Sequence, residues 1–106
     1  MYAQLTYFDG PRTPEQLAAA DFAAKSRIIP AITAVPGHVK SYLLRRPDGT
    51  EVVVSIAESE QALIEGQKAI MGSQLLPGED PALLPGPDRV ELYPVLDVVG
   101  HEGPRS

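Results

Sequence analysis

The first residues of the chain have the sequence pattern of a strand, in which successive side chains point to opposite faces. Residues 2–8 (YAQLTYF) follow this pattern and are rich in aromatic and β-prone types, which is typical of a strand. After a break, the residues TPEQ at 13–16 predict the start of a helix. Thr13 is the expected N-cap, Pro14 suits the first helical position, and Gln16 completes a capping box.

Apolar residues at helical spacing continue from this start as far as residue 32. Pro30 lies inside the pattern and removes one backbone hydrogen bond, so a bend or an interruption is expected near Ile29. Pro36-Gly37 then predicts the end of the helix. The apolar stripe consists of Leu17, Ala20, Ala24, Ile28, Ala31 and Ile32.

Two further strand-like runs follow, joined by a tight-turn sequence. Residues 38–46 alternate with a period of two, and residues 51–57 (EVVVSIA) are strongly β-prone. The residues PDGT at 47–50 are typical of a turn, so the second run is expected to return antiparallel to the first.

A second helix and a last strand complete the predicted elements. Ser59 is the expected N-cap of the helix, which should end near Gly72. Residues 77–88 contain four prolines and predict an irregular loop, either a lid over a pocket or an arm that reaches a partner subunit. Residues 89–99 predict the last strand, and 100–106 a flexible tail. The buried stripe of the second helix is predicted to be Ala62, Leu63, Gly66, Ala69 and Ile70.

The predicted order is β-α-β-β-α-β, which is the ferredoxin-like α+β arrangement with both helices on one face of an antiparallel sheet. We assign residues 1–99 to this single domain, because 106 residues suffice for one modest core. The predicted strands are apolar on both faces. The face without helices therefore needs a second layer, and a homodimer through the sheet is the economical source.

Composition narrows the possible functions further. The chain has no cysteine, which removes disulfides, thiol catalysis and zinc–thiolate sites. No apolar run reaches the ~20 residues of a membrane span, and the N-terminus lacks the pattern of a signal peptide, so a cytoplasmic location without membrane contact is expected. The net charge of −5 disfavours nucleic-acid binding. The acid-rich second half is interpreted as a solvated face, or else as a docking surface for a basic partner.

The element order, together with Ile29-Pro30-Ala31 and Val35-Pro36-Gly37 leading directly into a strand, resembles the dimeric α+β barrel superfamily. Within it, the chain is most similar to the antibiotic biosynthesis monooxygenase (ABM) group, over about residues 1–99. Members include cofactor-free quinone-forming monooxygenases, haem-degrading enzymes, lactone isomerases, and aldoxime-related and polyketide-cyclising proteins. The resemblance implies a pocket between sheet and helices. The chain departs from the pattern in one respect, since the Asn and Trp pair of family enzymes has no counterpart in a sequence without either residue.

Three residues are candidates for chemistry. His38 opens the second strand, and an imidazole near pKa 6.5 suits a general base, although an ordinary hydrogen-bonded histidine fits the same position. Tyr42 has the strand parity of His38 and is expected on the same face, as a substrate donor or as a packed aromatic. Asp97 on the predicted last strand would orient His38 if the strands bring the two together.

Four further residues are predicted to contact a small apolar or aromatic ligand. Arg27 could hold an anionic phenolate or carboxylate, the alternative being a surface arginine. Gly66 allows either close helix–sheet approach or room for a ligand. Ile70 of the helix stripe and Leu83 of the proline-rich loop are expected to line the pocket.

Two functions follow as hypotheses. The first is an ABM-like enzyme that deprotonates an aromatic or polyketide-like molecule with His38 and lets the anion react with oxygen or rearrange, with no cofactor. The second is a non-catalytic ligand-binding or dimeric assembly protein. A transition-metal site is disfavoured, since His38 and His101 are the two histidines and the second lies in the predicted tail.

Overall fold

A computed structural model describes residues 1–100 of the chain. The predicted tail therefore falls almost entirely outside the described residues, and the assignment of residues 1–99 to one domain stays a prediction. None of the helices within 1–100 is long and apolar enough to cross a membrane. The elements are β1 (Tyr2–Phe8), α1 (Pro14–Ala23), a π-helical segment (Ala24–Ile28), α2 (Ile29–Thr33), β2 (His38–Arg45), β3 (Glu51–Ala57), α3 (Glu60–Gly72), a short 3₁₀ turn (Pro81–Leu83) and β4 (Arg89–Pro94).

The predicted helix starts are confirmed. The Thr13 hydroxyl accepts the Gln16 backbone N–H at 3.1 Å, and the Gln16 side chain accepts the Thr13 N–H at 3.0 Å, which is the reciprocal capping box. The Ser59 hydroxyl accepts the N–H of Ala62 at 3.1 Å at the start of α3. The sequence signal was reliable here because a cap is a contact within four residues of chain.

Pro30 does not interrupt the first helix, because the backbone changes to a wider π-helical turn just before it. The five residues Ala24–Ile28 form one π-helical turn, at whose end the Ile29 N–H donates to the carbonyl of Ala24. Pro30 then lies in the first turn of α2, where a missing N–H costs little. The irregularity expected near Ile29 thus lies one turn earlier and is a widening of the helix rather than a break.

The four strands form one antiparallel sheet in the order β2-β3-β1-β4, as the predicted α+β ferredoxin-like fold requires. The helices pack on one side, which we call the inner face. The opposite, outer face carries mostly apolar side chains. Its members are Ala3, Leu5, Tyr7, Lys40, Tyr42, Leu44, Val52, Val54, Ile56, Arg89, Glu91 and Tyr93.

A β-bulge at Val39 changes the facing of β2. His38 pairs with Ala57 and Lys40 pairs with Ile56, so two steps along β2 correspond to one step along β3. His38 is therefore on the inner face, while Tyr42 is on the outer one, 45% exposed. The prediction that Tyr42 shares the face of His38 is wrong, because parity counting assumed an unbroken alternation.

β4 is shorter than the predicted strand 89–99. It ends at Pro94, which has no N–H to continue the ladder, and the following residue, Val95, donates instead to the carbonyl of Met1 at 2.9 Å. Asp97 thus lies beyond β4, where its side chain accepts its neighbour's N–H. Because β2 and β4 are opposite edges of the sheet, about 14 Å apart across three strand spacings, the expected pairing of Asp97 with His38 does not form.

Few residues fill the space between sheet and helices. Within the described chain, the buried apolar residues are Ala23, Ala57, Ala62 and Leu63, three of them alanines. Ala57, Ala62 and Leu63 pack together with Tyr2 into a small core cluster. The small side chains leave part of the space between sheet and helices unfilled, so a cavity lies beside this core.

Candidate ligand cavity and active site

A cavity of about 330 Å³ lies between the inner face of the sheet and the helices. Its floor comes from β1, β2 and β3, its walls come from α1, the π-helical segment, α2 and α3, and residues 83–87 of the proline-rich loop close part of its rim. The volume is within the range of small-molecule sites, and the lining is predominantly apolar.

Five of the seven predicted site residues line this one cavity. They are Arg27, His38, Gly66, Ile70 and Leu83, which come from the π-helical segment, α3, the edge strand β2 and the proline-rich loop. Tyr42 and Asp97 are not among the lining residues. The chain thus brings together most of the candidates, although the sequence placed them up to 56 positions apart, from 27 to 83.

His38 is half-buried in the cavity wall, and one hydrogen bond holds its ring. Its Nε2 lies 3.0 Å from the hydroxyl of Ser41, and that hydroxyl lies 3.1 Å from the hydroxyl of Ser55 on the neighbouring strand. Hydroxyls both donate and accept, so the chain from His38 to Ser55 can accommodate either protonation state of the imidazole. The bulge at Val39 makes this geometry possible, because it puts His38 and Ser41 on one face.

Gly66 on α3 provides space rather than close packing. A Cβ placed on Gly66 would meet no atom within 4 Å, although the residue lines the cavity. Of the two interpretations from the sequence, close helix–sheet approach is wrong and room for a ligand fits the geometry.

Arg27 is already paired within the chain. Its Nε donates to Glu79 at 2.9 Å, its second terminal nitrogen donates to the same carboxylate at 3.0 Å, and its first donates to the Ser73 hydroxyl at 2.8 Å. The Glu79 side chain is only 1% exposed. Arg27 therefore anchors the loop that carries Leu83 over the cavity, and its guanidinium is committed to this anchor instead of to a ligand.

The anchor is expected to weaken in acid. The hydrogen bonds from Arg27, and then the one from the Leu76 N–H, lower the pKa of Glu79 below its ordinary value. A carboxylate with a lowered folded-state pKa stabilises the fold above its unfolded pKa of about 4.3, and this contribution is lost as the pH falls through the folded value. Glu79→Gln should therefore lower the melting temperature by several degrees at pH 7, and the difference from the parent should shrink below about pH 4.

Thermal unfolding followed by circular dichroism between acid and neutral pH measures this effect. Glu65→Gln is the matched control, since Glu65 is half-exposed and its Lys68 contact spans 4.0 Å. Equal melting temperatures for the Glu79→Gln variant and the parent at pH 7 would contradict the anchor.

A group of charged side chains lies where β3 begins, at the end of the cavity opposite His38. Glu51 is 9% exposed and lies between two arginines, with Arg45 Nε donating to it at 3.0 Å and Arg12 3.5 Å away. Arg45 also donates to Asp21 at 2.7 Å and lowers the pKa of that carboxyl. Arg12 and Glu51 both line the cavity and were not among the predicted residues. For Glu51, the sequence feature that could have indicated a site is its position as the one acidic residue of the apolar run EVVVSIA.

Solved structures with the same architecture exist, at low sequence identity. A mutant of MhuD with two manganese protoporphyrin IX molecules bound per active site aligns at 18% identity with a TM-score of 0.65, covering 95% of this chain and 100% of the other. A monooxygenase from the gene ActVA-Orf6 of Streptomyces coelicolor, in complex with nanaomycin D, aligns at 21% identity with a TM-score of 0.60, covering 94% and 92%. The chain has the ABM fold.

The ABM fold is shared by proteins of several kinds. NE2512 of Nitrosomonas europaea, a protein of unknown function, aligns at 19% identity with a TM-score of 0.64, covering 96% of this chain and 95% of the other. No protein-family model and no curated protein matches the sequence. These similarities therefore establish the fold alone, and the cavity is the feature that bears on the substrate.

Proposed function

We propose that this ABM-fold protein is a cofactor-independent monooxygenase, or a related isomerase or cyclase, acting on a small aromatic or polyketide-like molecule. The observation that supports the proposal is a largely apolar cavity of about 330 Å³ with His38 in its wall. An apolar cavity suits a flat aromatic ligand, and a hydrogen-bonded imidazole suits proton transfer at one point of that ligand.

The chemistry assigned to His38 is removal of a phenolic proton. The resulting electron-rich anion reacts with dioxygen at a ring carbon. One oxygen atom becomes the second carbonyl of a quinone, and the other leaves as water with the phenolic hydrogen and the ring hydrogen, so the substrate supplies all the electrons. Ser41 and Ser55 hold the imidazole in place, and the apolar walls exclude water from the anion.

The described cavity lining offers haem iron one candidate ligand, His38. The hydrogen bond between its Nε2 and the Ser41 hydroxyl, at 3.0 Å, orients the ring and is compatible with ligation or with proton transfer. No step of the proposed reaction uses haem.

The functional unit in this proposal is a homodimer formed through the outer face of the sheet. Several large apolar side chains are exposed on or beside that face, including Tyr42, Leu44, Tyr93 and Leu96. An antiparallel sheet with one uncovered apolar face is stabilised when a second copy covers it, and a two-fold axis makes the contact self-complementary.

A second candidate is a non-catalytic ligand-binding or dimeric assembly protein. It is favoured by the lack of any Asn or Trp in the sequence, since the family resemblance associates that pair with oxygen and haem chemistry. In this case the cavity binds a molecule without changing it.

Oxygen uptake in air-saturated buffer tests the proposal. Purified protein is mixed with a series of polycyclic phenols that have a free ring position para to the hydroxyl, and quinone formation is followed by absorbance. The proposal predicts that at least one phenol binds and that each quinone formed consumes one dioxygen. Binding of phenols with no oxygen uptake and no change in the ligand would favour the second candidate.

A further inference from the structure

Arg12 is a buried cation beside the ligand cavity. It lies in the connection between β1 and α1, its side chain is 7% exposed, and it is one of the cavity-lining residues. Its guanidinium stacks on the ring of Phe8 at 4.7 Å from the centroid, and its backbone N–H donates to the carbonyl of Asp48 at 3.3 Å. The backbone hydrogen bond holds the position of Arg12, and the contact with Phe8 orients its side chain.

One nitrogen of this guanidinium has no hydrogen-bond acceptor. The terminal nitrogen NH2 of Arg12 is buried and unpartnered, although buried donors in folded proteins are almost always paired. The nearest charge is the Glu51 carboxylate, 3.5 Å from that nitrogen. The other oxygen of Glu51 is held by Arg45, with contacts of 3.0 Å from Nε and 2.8 Å from a terminal nitrogen.

The hydrogen bonding around Arg12 leaves it available to an anion. Arg12 and Arg45 together balance the charges of Glu51 and Asp21, but the direct hydrogen bonds to both carboxylates come from Arg45. A guanidinium in an apolar, water-poor setting binds a carboxylate or phenolate more strongly than it would in water. The Arg12 guanidinium, in a residue that lines the cavity and with one nitrogen that has no hydrogen-bond acceptor, is therefore a candidate partner for an acidic group on the ligand.

The position of Arg12 sets the shape of that ligand. Arg12 lies beside Glu51 at the start of β3, and His38 pairs with Ala57 at its end, so the two ends are about 20 Å apart along the strand. The His38 imidazole contacts Ser41, which pairs with Ser55, so the ring lies nearer to Arg12 than the His38 backbone does. Strand residues between the two ends, Val53 and Ser55, also line the cavity, so one elongated molecule can lie along it.

We infer that Arg12 forms an anion subsite at the end of the cavity opposite His38, and that the ligand is an elongated aromatic acid whose carboxylate contacts the Arg12 guanidinium. This inference rests on the proposed binding of an aromatic ligand in the cavity and adds the acidic group as a requirement.

A pair of probes that share one ring system and differ in one group, a charged carboxylate or a neutral carboxamide, tests the subsite. Anthraquinone carboxylic acid and its carboxamide are titrated into the full chain by isothermal calorimetry at neutral pH. The acid is expected to bind at least tenfold more tightly, which is the lower end of the range for a hydrogen bond to a charged group. Arg12→Gln should remove this preference by weakening the acid alone, and Arg46→Gln, an exposed arginine away from the cavity, should retain it.

The outcomes separate the subsite from the proposed function. Equal binding of acid and amide to the parent protein would overturn the subsite while leaving the aromatic cavity standing, and this comparison needs no variant to fold. Persistence of the acid preference in a folded Arg12→Gln protein would also overturn it. Failure of both probes to bind the parent would overturn the proposed function and the subsite together.

Discussion

Replacement of His38 by alanine is expected to lower kcat/KM for any phenol that the protein oxidises by between a hundredfold and ten-thousandfold, the usual contribution of a general base. The fold should survive, because His38 is only half-buried at the start of an edge strand and its side-chain hydrogen bond goes to one hydroxyl. Circular dichroism and the melting temperature check the fold, and steady-state oxygen uptake measures the rate.

The control for this experiment is Tyr42, which lies on the outer face of β2, opposite to His38. Tyr42→Phe removes a hydroxyl that the Val39 bulge directs to the outer face, so its rate should stay within about twofold of the parent. A His38→Ala protein that oxidises its substrates as fast as the parent would remove His38 as the base. A large loss in the Tyr42→Phe variant would place the chemistry on the other face of the sheet.

Substitution of Leu44 by glutamate is expected to convert the proposed dimer into monomers at micromolar concentration. Leu44 is 52% exposed on the outer face of the single chain, so the substitution leaves the interior of the subunit intact. In the proposed dimer the same position would bring a charge into a largely apolar contact, which costs several kcal/mol and weakens association at least a hundredfold. Sedimentation equilibrium measures the change.

Phe22→Glu is the matched control, because Phe22 is 44% exposed on α1, on the helix side of the molecule. It should leave the association constant unchanged. A parent protein that sediments as a monomer, or dissociation caused by the helix variant and not by Leu44→Glu, would contradict a dimer through the sheet.

The elements that could be predicted from the sequence are those set by short-range contacts. The capping box at Thr13, the cap at Ser59 and the Pro-Asp-Gly turn each involve residues within four positions, so composition identifies them. The turn shows this most directly, since Asp48 accepts the Thr50 N–H at 2.9 Å and Gly49 adopts a positive φ of 90°. The element order followed from these local signals.

The facing and length of the strands depend on partners that lie far away in the chain. The Val39 bulge is defined by its pairing, in which His38 and Lys40 face successive residues of β3. No local feature of 38–46 indicates the extra residue. The end of β4 has both a local cause, since Pro94 has no N–H, and a distant one, since the pairing with Tyr2 ends there. Both errors moved a candidate residue, Tyr42 in one case and Asp97 in the other, away from His38.

The candidate site was predictable where a residue belongs to a periodic apolar stripe and unpredictable where it depends on a charge partner. Ile70 and Gly66 lie on the inner side of α3 as their spacing indicated. Arg27 was given the wrong partner, since its carboxylate comes from Glu79, 52 positions away. Arg12 has no signature beyond preceding a helix cap, and its importance depends on burial, which the sequence does not encode locally.

Native mass spectrometry of the protein purified gently from its own host tests most directly whether the cavity holds an aromatic ligand. The parent should appear as a dimer that retains a discrete small-molecule mass. Gly66→Phe, which fills open space inside the cavity, should appear as an empty dimer. Gly72→Phe, at the exposed end of α3, should retain the ligand like the parent. A parent protein that carries no small molecule, or the same bound mass in the Gly66→Phe variant, would contradict a ligand site between the sheet and the helices.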